Sequence, residues 1–210
     1  MKIKVKDFNG VASTWDEKPR RVKLAAAVAE SIRKYVDIPP RCRAMDFGCG
    51  TGLVTFNLID VLEEVVAVDR AAEMLEVVEQ KAADLGATGV STKLVGDDLA
   101  HLGCAEYDLI YSSMVLHHLP EIEPILEGLI TALKPGGGLA LSDLEDDDGT
   151  FHDNPEGLIQ TGIQSTHVIG ILKRLGLVEL GSTQAHTIVK QRPEGDVEYP
   201  VFLVWGKKEQ

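Results

Sequence analysis

Short β-branched runs alternate with helix-period segments along most of this 210-residue chain, and few folds accept that alternation. "RAMDF" is followed by "LVTFNLIDVL", "EVVAVD" by "AAEMLEVVEQKAADLG", and "STKLVG" by a short connection. "YDLIYSS" then leads to "EIEPILEGLITALK", and "GGLALSD" leads on to "STHVIGILKRLG". Strands that alternate with helices must lie parallel in one sheet with helices over both faces, which predicts a doubly wound α/β fold. Ahead of this rhythm, Val22, Ala25, Val28, Ala29, Ile32 and Val36 recur at helical spacing until Pro39 and Pro40 end the pattern. Thr14 and Glu17 have the spacing of a capping box, so the helix is expected to begin there. At the other end "AHTIVKQRP" and "EYPVFLVWGKK" are both strand-like, and the turn-rich "PEGD" between them leaves no room for a helix. They should pair antiparallel.

The length suits one well-buried α/β domain, read here as residues 1 to 210 in a single unit. Within it we expect an N-terminal helical cap at 1 to 40, a ligand-binding core at 41 to 144, a lid loop at 145 to 165, and a terminal helix and strand pair at 166 to 210. The net charge of -12 argues against broad contact with a phosphate backbone, which draws its affinity from lysine and arginine. No nucleic-acid partner is expected. "MKIKVK" is not followed by an apolar run, and no segment approaches the roughly 18 apolar residues of a membrane span. Cys42, Cys49 and Cys104 form no CxxC pair and no even disulfide set, which suits a reducing compartment and gives no metal site. A cytoplasmic protein is therefore expected, and a homodimer is compatible with the sequence. The acidic run "DLEDDD" at 143 to 148 reads as a solvated loop.

"AMDFGCGTG" places Asp46 at the end of the first strand, with Gly48, Gly50 and Gly52 following and Cys49 among them. Without β-carbons such a loop lets a ligand approach the backbone at the strand ends, where open α/β sheets bind. The spacing is GxGxG, whereas the dinucleotide fingerprint is GxGxxG with a helix N-terminus facing a pyrophosphate. A carboxylate beside the loop would repel pyrophosphate but suits the ammonium and sulfonium charges of S-adenosylmethionine. Asp69, seventeen positions after Gly52 and followed by Arg70, ends the second strand, where a carboxylate accepts from ribose hydroxyls in many folds. Asp97 and Asp98 end the third strand and can accept from an exocyclic amine, Leu99 can offer a backbone N–H, and Met74 can pack on a purine face. A plainer reading exists for each: glycine turns follow strands in many α/β folds, and aspartates at strand ends often cap helices.

Taken in order, "AMDFGCGTG", "VVAVDRAAEML", "LVGDDL", "YDLIYSSMVLHHL" and "LKPGGGLALSD" resemble the motifs of the class I S-adenosylmethionine-dependent methyltransferases, over roughly residues 14 to 144. The likeness is to the small bacterial and archaeal members that methylate small molecules. It implies a seven-stranded sheet of order 3-2-1-4-5-7-6 with the seventh strand antiparallel. It also implies S-adenosylmethionine as cofactor and a small-molecule acceptor.

Transfer of a sulfonium methyl is an in-line displacement, so alignment and exclusion of water come first, and a base is needed only for a protonated acceptor. Ser112 and Ser113 leave the fourth strand near the methionine end of such a cofactor, and His117 and His118 follow within a turn. His117 is read as a pocket wall or base, His118 as structural. Phe151 and His152, with Asp153, stand in the long loop after the fifth strand, where an aromatic and an imidazole suit a lid, and His152 is a second candidate base. His167 lies near the start of the next helix, and for each of these histidines a surface loop position is the alternative. Trp15, Asp16 and Arg20 could fold over the methionine moiety, with Trp15 lining the pocket and Arg20 meeting a carboxylate. Alternatively, Trp15 staples the first helix to the core. A non-catalytic binding subunit on the same fold would carry the same glycine loop but a flat apolar patch where an enzyme encloses a cavity. A nicotinamide oxidoreductase fits the glycine spacing and the terminal strand pair poorly.

Overall fold

The computed structural model describes residues 9–96, 102–145, 149–151 and 160–210. Seven strands form one sheet: β1 (Arg43–Phe47), β2 (Glu64–Asp69), β3 (Val90–Leu94), β4 (Tyr107–Ser113), β5 (Leu133–Leu144), β6 (Leu177–Arg192) and β7 (Gly195–Lys208). Their order is β3-β2-β1-β4-β5-β7-β6, as the sequence motifs imply. β1 to β5 pair in parallel, and β7 inserts antiparallel between β5 and β6. The hairpin that makes this insertion is tight, since Arg192 pairs directly with Gly195, which takes the left-handed φ of 125° that the turn requires.

Among the described residues five α-helices connect or cover the strands: α1 (Pro19–Tyr35), α2 (Leu53–Leu58), α3 (Ala72–Leu85), α4 (Glu123–Ala132) and α5 (Ser165–Arg174). The central strands alternate their side chains between two cores. Ala44, Leu109, Tyr111, Ala140, Val201 and Leu203 pack with α1 and α2 on one face. Met45, Ile110, Leu139, Leu141, Phe202 and Val204 pack with α4 and α5 on the other. Burial on both faces explains why these strands read as nearly continuous apolar runs.

The start of α1 departs from expectation. Residues Asn9–Glu17 form a 3-10 turn, and the α-helix begins only at Pro19. Lys18 is its N-cap, with no side-chain capping bond, and Thr14 Oγ1 donates to the Val11 carbonyl at 3.5 Å. Proline has its φ set for the first helical position and no N–H to satisfy, so "KPRR" outcompetes the Thr14/Glu17 box as the start. α2 is also shorter than its periodic segment, and β6 begins well ahead of "AHTIVKQRP".

Candidate functional site

The C-terminal ends of β1, β2, β3 and β4 open into a cavity of about 720 Å³, closed on the far side by the start of α1 and by β6. The glycine loop shapes its floor. Gly48, Gly50 and Gly52 all have positive φ, at 70°, 53° and 76°. A β-carbon on Gly48 would lie 2.3 Å from Val115, and one on Gly52 would press on Phe56 and Val78, so these two glycines permit close packing. One on Gly50 would meet nothing within 4 Å, and Gly50 lines the cavity, so this position keeps open a space that a side chain would fill.

Asp69 holds that loop in place: its Oδ2 accepts from the Gly50 N–H at 2.8 Å and its Oδ1 from the Ala71 N–H at 2.9 Å. A carboxylate has about four lone-pair positions, so the same group can still accept from a ligand. Asp46 is buried beneath the loop, accepting from Thr55 Oγ1 at 2.6 Å, and Thr55 in turn contacts the Tyr111 hydroxyl at 3.1 Å. Burial pushes the Asp46 carboxyl up to about 7, against the Thr55 hydrogen bond and with some help from the Asp69 charge. The Cys49 thiol is raised well above its ordinary range by burial and by both aspartates, so it is no nucleophile.

The 3-10 turn is pinned over this floor. Asp16 accepts from Thr51 Oγ1 at 2.6 Å and pairs with Lys81 at 2.5 Å, while Lys81 also donates to the Thr51 carbonyl. Trp15 packs on Ala12, Ala71 and Met74, joining the turn to the start of α3, and also lines the cavity. The Arg21 guanidinium lies 3.4 Å above the Trp15 ring and donates to its carbonyl. Arg20, Arg70, Met74 and Ser113 line the cavity as well.

On the β4 side, His117 is 1% exposed and its Nδ1 lies 2.5 Å from Asp143 Oδ1. Asp143 is fully buried at the end of β5, where it also takes the backbone N–H groups of Leu144 and His117. Burial alone would raise its carboxyl, but the adjacent imidazole and these N–H groups hold it below the ordinary range. An ionised carboxylate only accepts, so His117 presents Nδ1–H to Asp143, which fixes the orientation of its ring. His117 and His118 both line the cavity, with ring centroids 3.9 Å apart.

Asp143 corrects the reading of "DLEDDD" as a solvated loop, because the run begins inside β5. The one available signal was its place at the end of a strand, two residues beyond the apolar "LAL". Gly52 and Ser112, both expected at the ligand, are not among the residues that line the cavity. Gly52 packs against Phe56 and Val78, and Ser112 turns away to donate to the Phe47 carbonyl at 2.7 Å. Phe151 lines the cavity, edge-on to Tyr199. Lys18, Arg21, Ile188 and Lys190 line it without having been anticipated. His167 is exposed on α5 and borders a separate surface depression with Glu123 and Glu127. Asp97, Asp98, Leu99, His152 and Asp153 lie outside the described residues. Among the described residues no cluster of histidine, cysteine and carboxylate is arranged to hold a metal, and no helix is long and apolar enough to cross a membrane.

Residues 38–189 match the family model described as "Methyltransferase domain". An uncharacterized methyltransferase of Schizosaccharomyces pombe is 30% identical over 57% of this chain and 45% of its own length. A ubiquinone biosynthesis O-methyltransferase of Xanthomonas axonopodis pv. citri is 28% identical over 65% of this chain and 59% of its own. The chain thus spans about half the length of these two curated relatives. The solved structure of a SAM-dependent methyltransferase from Aquifex aeolicus superposes with a TM-score of 0.66 at 21% identity, covering 90% of this chain and 98% of that one.

Proposed function

Since this chain belongs to the methyltransferase domain family, we propose that its cavity binds S-adenosylmethionine and directs its methyl group to a small-molecule acceptor. The observation that carries the reading is the continuity of one cavity from Asp69 and the open space over Gly50 to the ring of His117. Those residues fit the cofactor. Asp69 would take the ribose hydroxyls, Asp46 the ammonium, and Met74 a face of the adenine, while Trp15 and the start of α1 would cover the methionine moiety. Asp97, Asp98 and Leu99 are kept as the adenine-edge residues. When bound, the cofactor supplies an electrophilic methyl carbon on a sulfonium. The chain's own contribution is to exclude water and orient the acceptor, with His117, a cavity-lining ring whose orientation is fixed by Asp143, as the candidate base. The O-methyltransferases among the relatives support an acceptor whose O–H must be deprotonated. A concave cavity of about 720 Å³ supports an enzyme over the binding-subunit alternative, which would need only a flat patch, and we read the whole chain as one such domain.

Calorimetric titration with S-adenosylhomocysteine beside NADH tests the cofactor assignment. Asp69→Asn is the informative variant, because it keeps one acceptor for the glycine loop, whereas Asp69→Ala would release the loop itself. We expect S-adenosylhomocysteine to bind, NADH not to, and Asp69→Asn to weaken binding by about tenfold or more, the worth of a charged hydrogen bond. In a methyl-transfer assay His117→Asn should lower kcat by about 100-fold or more while leaving that binding intact. A preference for NADH would end the assignment.

A further inference from the structure

Resting on the methyl-transfer reading of this cavity, we propose that the acceptor lays an apolar face against Phe151, and that Arg192 and Tyr199 are positioning residues that hold Phe151 there from outside the cavity. Asp46 and Asp69, the carboxylates suited to the cofactor, stand at the ends of β1 and β2. Other parts of the lining come from α1, the turn after β4, the segment after β5 and β6, and there Leu24, Met114, Phe151 and Ile188 form an apolar wall. A small molecule held by such a wall gains from the apolar area it buries, so the face it presents there is apolar.

Phe151 reaches this wall because the β6–β7 hairpin grips the chain that carries it. Side chains two residues apart on a strand share a face, so Ile188, Lys190 and Arg192 of β6 stand in line. Ile188 lines the cavity itself. Lys190 Nζ donates to the Phe151 carbonyl and lies 4.4 Å over the Phe151 ring. Arg192 Nη2 donates to the Thr150 carbonyl and, at 3.3 Å, to that of Phe151. Tyr199, paired with Ile188 across the hairpin, sets its ring edge-on to Phe151 at 5.2 Å and its hydroxyl 2.8 Å from Thr150 Oγ1. The same hydroxyl accepts from Arg192 Nε at 3.4 Å.

The grip acts on main-chain carbonyls, which position 151 would present whatever its side chain. Hydrogen bonds from cations are stronger than neutral ones, and bonds to two consecutive carbonyls fix the direction in which residue 151 points. Gly149, at φ 84°, turns the chain just ahead of the grip in a conformation that a side chain would strain. Phe151 and Lys190 line the cavity, whereas Thr150, Arg192 and Tyr199 stand outside its lining. One face of the hairpin therefore supplies a wall residue, Ile188, and holds a second one, Phe151, from far along the chain. The cofactor side is built separately, since Asp69 fixes Gly50 and Asp46 rests on Thr55. Loosening the grip should disturb the acceptor and spare the cofactor.

The test uses N-phenyl-1-naphthylamine, a neutral fluorescent arene, as a probe of the acceptor side in protein saturated with S-adenosylhomocysteine. We expect the arene to bind, and Phe151→Ala to weaken it about tenfold, the scale of a lost aromatic contact. Phe151→Leu keeps the position apolar should the alanine variant not fold, and it should weaken the probe about threefold. In stopped-flow fluorescence Arg192→Met should speed dissociation of the probe about fivefold, and Arg192→Lys should restore most of the original rate. Tyr199→Phe, which keeps the ring and loses the hydroxyl, should fall between them. S-adenosylhomocysteine affinity should stay the same in each variant. A protein that takes S-adenosylhomocysteine but not the arene would overturn the proposal, as would Phe151 variants with full probe affinity. So would an Arg192→Met variant with unaltered probe kinetics, or one that loses S-adenosylhomocysteine in parallel, which would make the grip purely structural. Failure of the unaltered protein to bind S-adenosylhomocysteine is a different result, and it would remove the methyl-transfer reading instead.

Discussion

At the scale of single residues, Asp46 ties the site to pH. Its carboxyl titrates near 7 in the folded protein against an ordinary 3.8, so the stability it confers by holding a proton is fully present below about 4 and is lost as pH rises through 7. A ligand ammonium would favour the ionised form and draw that value back down. S-adenosylhomocysteine affinity should therefore rise with pH up to about 7, by at most about tenfold per unit, and Asp46→Asn should flatten the profile. Proton release measured by calorimetry in two buffers checks this, and a pH-independent affinity would exclude Asp46 as the ammonium's partner. The loop glycines divide differently from what their shared spacing suggests. Gly50→Ala should cost about 1 to 2 kcal/mol for its left-handed backbone and weaken the ligand, because its methyl enters open cavity. Gly48→Ala meets Val115 as well, so thermal unfolding should show the larger loss there. The alternation of "AMDFGCGTG" displayed three glycines alike, and only the packed neighbours separate them. Asp143 was hidden for a similar reason: six acidic-rich positions in a row look solvated until one of them is seen to end a buried strand facing His117.

At the scale of elements, the 3-10 turn over Asn9–Glu17 acts as a cover whose attachment is specific. Asp16 joins it both to Thr51 in the glycine loop and to Lys81 on α3. The side chains of Asp16 and Lys81 are about a third exposed, so Asp16→Asn should change global stability by less than about 1 kcal/mol. The same variant should weaken S-adenosylhomocysteine several-fold, since Trp15 would lose its strut. Paired thermal melts and titrations separate these effects, and unchanged affinity would make the strut purely structural. Helix periodicity located α1, α3, α4 and α5, but it did not locate this turn. Trp15, Asp16 and Glu17 gain their positions from contacts with α3 and the glycine loop, which no local pattern records.

At the scale of the whole molecule, a net charge of -12 makes the surface repel itself. Salt screens the self-repulsion of the surface, so the Tm should rise between low ionic strength and about 0.15 M, where the Debye length is about 8 Å. Scanning calorimetry over that range checks it, and a falling Tm would mean that ion pairs outweigh the repulsion. The sequence by itself determined the strand and helix alternation, the glycine loop, the strand-end aspartates and the terminal hairpin, because periodicity, missing β-carbons and turn chemistry are local properties of a chain. Its motif order also carried the sheet order, through resemblance. The tertiary structure alone decided that His117 rests on Asp143, that Ser112 faces away, and that Lys18 and Lys190 line one cavity. Those relations depend on strand register and on the direction of α1 against β6, and packing sets both only when distant segments are brought together.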